Sequence, residues 1–266
     1  MRNGADNQEA CLNNPRRMSN KDFRLVGEFI QKEYGIKMPP IKKIMLESRL
    51  LKRLRELEID SYEEYLEHVF SKDGIDTELI NMIDVVTTNK TQFFREPDHF
   101  QFTTEHILPD LANHYDLGKK SKLLAWSAGC STGEEVYSMA VVLSEFAKTS
   151  RGFDFMVFGT DVSTRVLKHA KLGIYEADKV DPVPDYLKKR YFLKSKDRSS
   201  GLVKVVPELR DKVKLRRLNL MNRDFGFSRP MHLIFCRNVI IYLLSDNLIH
   251  PSYRPLARHN SDPRQN

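Results

Sequence analysis

Lys122-Leu-Leu-Ala-Trp-Ser-Ala128, Gly129-Cys-Ser-Thr-Gly133 and Glu134-Glu-Val-Tyr-Ser-Met-Ala-Val-Val-Leu143 run consecutively, and their reading decides the fold. The first is an apolar run of strand length, and the third has the length and apolar density of a helix. The five residues between them carry two glycines. Strand, glycine-containing turn and helix form the opening unit of a nucleotide-binding α/β fold. Gly129 and Gly133 let the main chain pass close to a ligand with no Cβ in the way. The turn is not G-x-G-x-x-G, and by itself it serves equally well as a purely structural βα turn.

Toward the C-terminus, Phe153 to Thr160 reads as a second strand with Asp161 at its end. A carboxylate there can accept hydrogen bonds from both hydroxyls of a ribose. Glu135, in the first helical turn after the glycines, is a second candidate for contacting the ligand. Both acids also suit a helix N-terminus, Asp161 preceding a helix that starts near Ser163, and capping and ribose binding are compatible. Lys214 to Leu220 reads as a strand ending at Asn219-Leu220, and Met231 to Cys236 as a buried strand followed by Arg237 and Asn238. In open α/β sheets ligands bind beyond the carboxyl ends of the strands. Glu135, Asp161, Asn219 and Asn238 all fall at or just after such ends. Tyr191 to Leu193 and Val203 to Val206 flank a polar, basic tip and read as a small antiparallel hairpin inserted between units of the main sheet.

Toward the N-terminus the period is helical from Ser19 to about Thr88. Ser19 and Asp22 fit an N-cap, Phe23, Val26, Ile30 and Tyr34 follow at helical spacing, and Gly35 stops the helix. Pro39 and Pro40 open a second helix running to about Glu58. Ser61 with Glu64 makes a capping box for a third, and Leu79, Ile80, Ile83 and Val86 mark a fourth. On the second helix Leu46, Leu50, Leu51, Leu54 and Leu57 form one apolar stripe, while Arg49, Lys52 and Arg55 lie on roughly the opposite side. Such a row is either a solvated helix surface or a docking face for an acidic helix. Three like charges in a row repel, which argues against a role in folding.

The composition bounds the remaining choices. With 41% apolar and 30% charged residues the chain reads as soluble and globular. Its longest apolar stretch, Leu233 to Leu244, is interrupted by Arg237 and Asn238 and is too short to span a bilayer. Residues 1–18 read as a disordered leader without a signal-peptide core, and Met18 is an alternative start. Cys11, Cys130 and Cys236 are scattered without metal-ligand spacing, so no metal site and no disulfide framework is expected, and the compartment is read as the cytoplasm. The net charge of +7 points to an acidic partner of some kind.

Five stretches together resemble the CheR family of chemotaxis-receptor glutamate methyltransferases. They are Thr87-Thr-Asn-Lys-Thr-Gln-Phe-Phe-Arg-Glu96, Trp126-Ser-Ala-Gly-Cys-Ser-Thr-Gly-Glu-Glu135, Phe158-Gly-Thr-Asp161, Gly173-Ile-Tyr175 and Ile234-Phe-Cys-Arg-Asn-Val-Ile-Ile-Tyr242. The resemblance covers Ser19 to Tyr242 in order. It implies an all-helical domain at 19–88, then a Rossmann-like S-adenosylmethionine methyltransferase domain at 89–242 with an inserted β-subdomain at about 190–207. The implied reaction moves a methyl group from S-adenosylmethionine to receptor glutamates and leaves S-adenosylhomocysteine. By motif, Asn89, Thr91 and Arg95 contact the cofactor from the linker side, and Glu135 and Asp161 hold its adenosine part. Asn219, Leu220, Arg237 and Asn238 complete the pocket, with Arg95 and Tyr242 closest to the transferred methyl. Arg49, Lys52 and Arg55 correspond to the face that engages the methylation helices of membrane chemoreceptors. In some members the inserted hairpin binds a receptor's terminal peptide. The tip here lacks the glycines associated with that mode, and it is not expected.

After Tyr242 the resemblance stops. Residues 243–266 form an atypical tail that reads as a frameshift or premature stop, with only about the first four of seven sheet strands represented. The expectation is a monomeric but aggregation-prone chain with weak or absent activity, or a non-catalytic remnant that still docks on receptors. A nucleic-acid methyltransferase would suit the basic charge. Enzymes acting on base nitrogens usually carry an Asn-Pro-Pro-Tyr-like strand end, and Arg237-Asn-Val-Ile-Ile-Tyr242 has no proline.

Overall fold

The structure is a computed structural model that describes residues 17–237 apart from Thr88, Tyr115, Asp116 and Lys119. It begins with helix α1, Asn20–Tyr34. Ser19 Oγ accepts from the Asp22 N–H at 3.0 Å and the Asp22 carboxylate accepts from the Ser19 N–H at 3.2 Å, while Gly35 ends the helix at φ 71°. The two prolines open a 3-10 turn, Pro40–Lys42, that runs into α2, Lys43–Glu56. Helices α3, Tyr62–Phe70, and α4, Lys72–Val86, follow. At the start of α3 the Glu64 N–H bonds Ser61 Oγ at 3.2 Å. The apolar faces of α1–α4 close on one core that includes Val26, Ile30, Leu46, Leu50, Leu54, Tyr65 and Ile83. Met18, assigned from sequence to a disordered leader, is buried in that core, so ordered structure begins ahead of Ser19.

Beneath this core Glu78 is buried and takes four bonds. They come from Arg53 Nε at 2.8 Å, Arg53 Nη2 at 2.6 Å, Tyr65 OH at 2.9 Å and Asn81 Nδ2 at 3.0 Å. Burial works to raise the Glu78 pKa. The bonds from Arg53, Asn81 and Tyr65 together outweigh it and hold the carboxyl below its ordinary value.

A linker leads to α5, Pro97–Phe102, a π-helical turn, Thr103–Ile107, and α6, Leu108–His114. The α/β domain then supplies β1, Leu123–Ala128, α7, Glu134–Thr149, β2, Phe155–Asp161, and α8, Thr164–Leu172. Next come β3, Ile174–Glu176, α9, Asp185–Tyr191, β4, Phe192–Lys194, β5, Leu202–Val205, and α10, Pro207–Arg210. Strands β6, Val213–Arg217, and β7, Leu233–Phe235, complete the described chain. The main sheet is parallel, in the order β6-β2-β1-β7. Among the described residues β7 pairs on one side only, with β1.

Three sequence expectations need adjustment. The inserted hairpin is a three-stranded antiparallel sheet, β3-β5-β4, because the Ile174–Glu176 segment pairs with β5. The strand expected to reach Leu220 ends at Arg217, so Asn219 and Leu220 stand beyond it rather than in it. Only the Ser61 half of the third helix's capping box is made. The expectations for the tail at 243–266 fall outside the described residues.

The two domains are joined by side chains as well as by the linker. Asp84, near the end of α4, accepts from Thr164 Oγ1 at 2.8 Å and from the Arg165 N–H at 3.2 Å, so the helical domain caps α8 of the α/β domain. Arg165 Nη2 returns a bond to the Asp84 carbonyl at 2.9 Å.

Candidate active site

Strand order changes direction at β1, with β2 on one side and β7 on the other, which is where ligands enter such sheets. A cleft of about 1130 Å³, open solvent at its mouth included, lies there between the two domains. Its floor is the glycine turn. Gly129 lies at φ 79° and Ser131, without a glycine's freedom, at φ 51°. That strained position aims the Ser131 N–H at Asp161 Oδ2, 2.9 Å away, while Ser131 Oγ donates to the Asn89 carbonyl at 3.0 Å. The turn therefore holds the end of β2 and the interdomain linker at once. Gly133 sits at φ 101°, and a Cβ there would lie 2.8 Å from both Ala170 Cβ and Tyr175 OH.

Asp161 is buried, and its second oxygen accepts from the Ser163 N–H at 2.9 Å. Burial pushes its pKa up, and the amides of Ser163, Ser131 and Val162 work against that push. A carboxylate has about four lone-pair directions, so these amide bonds still leave acceptor capacity on the cleft side. Glu135 is also buried. Its Oε1 accepts from Ser127 Oγ at 2.7 Å and its Oε2 from Arg237 Nε at 2.9 Å. The Arg237 guanidinium lies 4.9 Å from the ring centres of both Phe100 and Phe235, and its Nη1 donates to the Arg95 carbonyl at 2.6 Å. Arg237 is thus a clamp between sheet and linker. Cys130 is no nucleophile, because burial, with Asp161 and Glu135 nearby, pushes its thiol well up.

The structure brings Asn89, Thr91, Arg95, Glu135 and Asp161 to the wall of this one cleft, together with Asn219, Leu220 and Arg237. Arg95 curls over the linker, with Nη1 3.3 Å from the Lys90 carbonyl. The Asn219 amide donates to the Glu33 carbonyl of α1 at 2.7 Å, which leaves its side chain a domain tie. Asn238 and Tyr242 lie outside the described residues.

The sequence-predicted cationic row divides. Arg49 donates from Nη1 to the Val86 and Thr87 carbonyls at 2.8 and 2.9 Å and lines a recess beside the cleft with Lys52 and Arg165. The expectation that the row plays no part in folding fails at this residue, since a cation at the last carbonyls of α4 completes that helix end. Lys52 and Arg55 remain exposed on α2.

Sequence reasoning missed the cleft wall donated by the helical domain, namely Tyr34, Met38, Lys42 and Met45, and the role of Ser131. A non-glycine residue between two glycines in the turn was the available signal for Ser131. The domain interface left none in the local pattern.

Residues 21–87 match the family described as CheR methyltransferase, all-alpha domain, and residues 89–249 match CheR methyltransferase, SAM binding domain. The chain belongs to the CheR methyltransferase family. It is 37% identical over 216 residues to the chemotaxis protein methyltransferase of Borreliella burgdorferi, which covers 81% of this chain and 75% of that protein. Chemotaxis protein methyltransferase 2 of Pseudomonas aeruginosa is 38% identical over 222 residues, covering 84% and 76%. The Escherichia coli chemotaxis protein methyltransferase is 35% identical over 225 residues, covering 85% and 75%. The CheR assignment makes the chain a methyltransferase whose cofactor is S-adenosylmethionine. Among the described residues no helix is long and apolar enough to cross a membrane, and no cluster of His, Cys, Asp and Glu is placed to hold a metal ion.

Proposed function

We propose that this chain methylates glutamate side chains of chemoreceptors in the cytoplasm, in the cleft between its two domains. The observation that carries this reading is the pair of buried carboxylates, Asp161 at the end of β2 and Glu135 in the first turn of α7, in a cleft that the linker residues Asn89, Thr91 and Arg95 also enter. These residues fit the cofactor: two acceptors suit the hydroxyls and the amino group of an adenosine, and Gly129 offers bare backbone beside them.

When bound, S-adenosylmethionine supplies a methyl group on a positively charged sulfur that needs no acid to leave. In this reading Asp161 and Glu135 hold the adenosine part while Ser131 and Ser127 keep the two carboxylates aimed. A glutamate is ionised at neutral pH, so no residue need act as general base. Arg95 would orient the incoming carboxylate by charge-assisted hydrogen bonds toward the place the methyl group would occupy. Alignment alone can supply up to ~7–11 kcal/mol of barrier lowering. The roles of Asn238 and Tyr242, beside Arg237, rest on the family motif. Lys52 and Arg55 offer cations to an acidic partner.

The test is transfer of tritiated methyl from S-adenosylmethionine to receptor-containing membranes, with release of the label as methanol by mild alkali. Label that is stable to alkali sinks the carboxylate assignment. Receptor capture without any label would mark a docking remnant.

A further inference from the structure

Helix α2 and the 3-10 turn ahead of it present three faces, one to the helical core, one to the cleft and its recess, and one outward. Leu46, Leu50 and Leu54 are fully buried in the helical core. Lys42 and Met45 line the cleft, and Arg49 lines the recess beside it. The outer face carries Ile44, Ser48, Lys52 and Arg55, which at 100° per residue fall within an arc of about 80°, with Ser48 and Lys52 also reaching the rim of the recess. Ile41 stands just ahead of them in the 3-10 turn. Ile41 is 88% and Ile44 79% exposed, the highest values for large apolar side chains among the described residues.

A lone exposed isoleucine is ordinary. These two are set apart by their place. They bracket the cleft-lining Lys42 in sequence, adjoin Met45 and sit at one end of the face whose other end is cationic. Lys52 lies 3.8 Å from Glu56 with both side chains exposed, a pairing that a partner's carboxylate can replace at little cost.

We propose that Ile41 and Ile44 form the apolar half of the docking surface for an acidic amphipathic helix. Acidic residues of that helix meet Lys52 and Arg55, an apolar or small residue seats on the isoleucines, and the reactive glutamate reaches the cleft beside Met45. The proposal rests on the glutamate-methylating reading and adds what sets the register. Attraction between charges is long-ranged and lets a partner slide, whereas apolar contact acts only when surfaces touch. Ile44 and Arg55 are about 16 Å apart along α2, the rise of three turns of a partner helix. A lipid surface is a poorer occupant, because two isoleucines beside an open cleft offer little area for insertion.

The test uses the full chain, tritiated S-adenosylmethionine and a purified chemoreceptor cytoplasmic fragment. The Ile41→Ser/Ile44→Ser double variant is expected to raise KM for the fragment about ten-fold or more, with kcat and cofactor Kd unchanged. The salt dependence of KM should persist in this variant and flatten in Lys52→Gln/Arg55→Gln. Ile75→Ser, at the far end of α4 and 48% exposed, serves as a control and should match the wild type, as should the melting temperature of each variant. An unchanged KM overturns the proposal, and so does a change in kcat or cofactor affinity alone. Loss of binding to phosphatidylglycerol vesicles with KM unaltered would overturn it in favour of a membrane surface. If the wild type itself leaves the fragment unlabelled, the underlying reading falls, and this proposal with it.

Discussion

Glu135→Gln removes one charge from the cleft wall while keeping the side chain's shape, and the structure gives the size of the effect. The carboxylate accepts from Ser127 Oγ at 2.7 Å and from Arg237 Nε at 2.9 Å, with the Arg237 and Glu135 side chains only 10% and 11% exposed. A glutamine can offer oxygen to one partner only. Ser127 can rotate its hydroxyl to accept from the new NH2, whereas Arg237 has nothing but donors. The oxygen therefore stays on Arg237, and what is lost is the charge. Removing one partner of a buried ion pair costs ~3–5 kcal/mol. The open cleft, the Arg95 carbonyl and Glu96, whose carboxylate lies 3.8 Å from Arg237 Nη1, ease this, so a loss of about 2–3 kcal/mol is expected. For a protein of this size that lowers Tm by about 4–12 °C, measured by circular dichroism. The double variant Glu135→Gln/Arg237→Met separates charge from contact. A thioether between Phe100 and Phe235 keeps the packing and abolishes the stranded cation, so more than half of the loss should return. A single variant that melts within a degree of the wild type, or a double variant that melts below the single, refutes this account of the clamp.

Arg95→Ala should cut turnover with receptor far more than it weakens cofactor binding measured by calorimetry; equal losses in both would remove Arg95 from substrate orientation. Gly133→Ala should destabilise the protein by about 2–3 kcal/mol in urea titrations, since φ 101° and 2.8 Å contacts with Ala170 and Tyr175 leave its Cβ no room. Burial of Asp154 acts to raise its pKa, but Lys212 and Lys122 prevail and lower it from 3.8 to about 2. Its contribution to stability is therefore complete above pH 3.8 and is lost as pH falls toward 2. Asp154→Asn should accordingly flatten the acid limb of a Tm–pH curve in that window, and an unchanged limb would contradict the assignment.

What the sequence made legible was whatever is written within one turn or one strand. Ser19, Asp22 and Gly35 mark α1 because their side chains or backbone freedom act on their immediate neighbours. The glycine turn and the acids at strand ends located the cleft for the same reason. The contribution of Met38, Lys42 and Met45 was invisible, because a cleft between domains depends on how two folded surfaces meet. Arg49 shows a different limit. Helical spacing gives the direction in which a side chain leaves the backbone but not where a long guanidinium lands, and this one lands on α4. β3 escaped notice because three residues carry too little alternation to be read.

The bond from Asp84 to α8 has a consequence for how this architecture is inherited. The amide it satisfies belongs to the helix that begins three residues after Asp161, so cutting the chain in the linker would hand that donor to water and remove a fixed support beside the cofactor site. A gene shuffled at that natural-looking seam would yield a catalytic half with a frayed helix start where Asp161 most needs support.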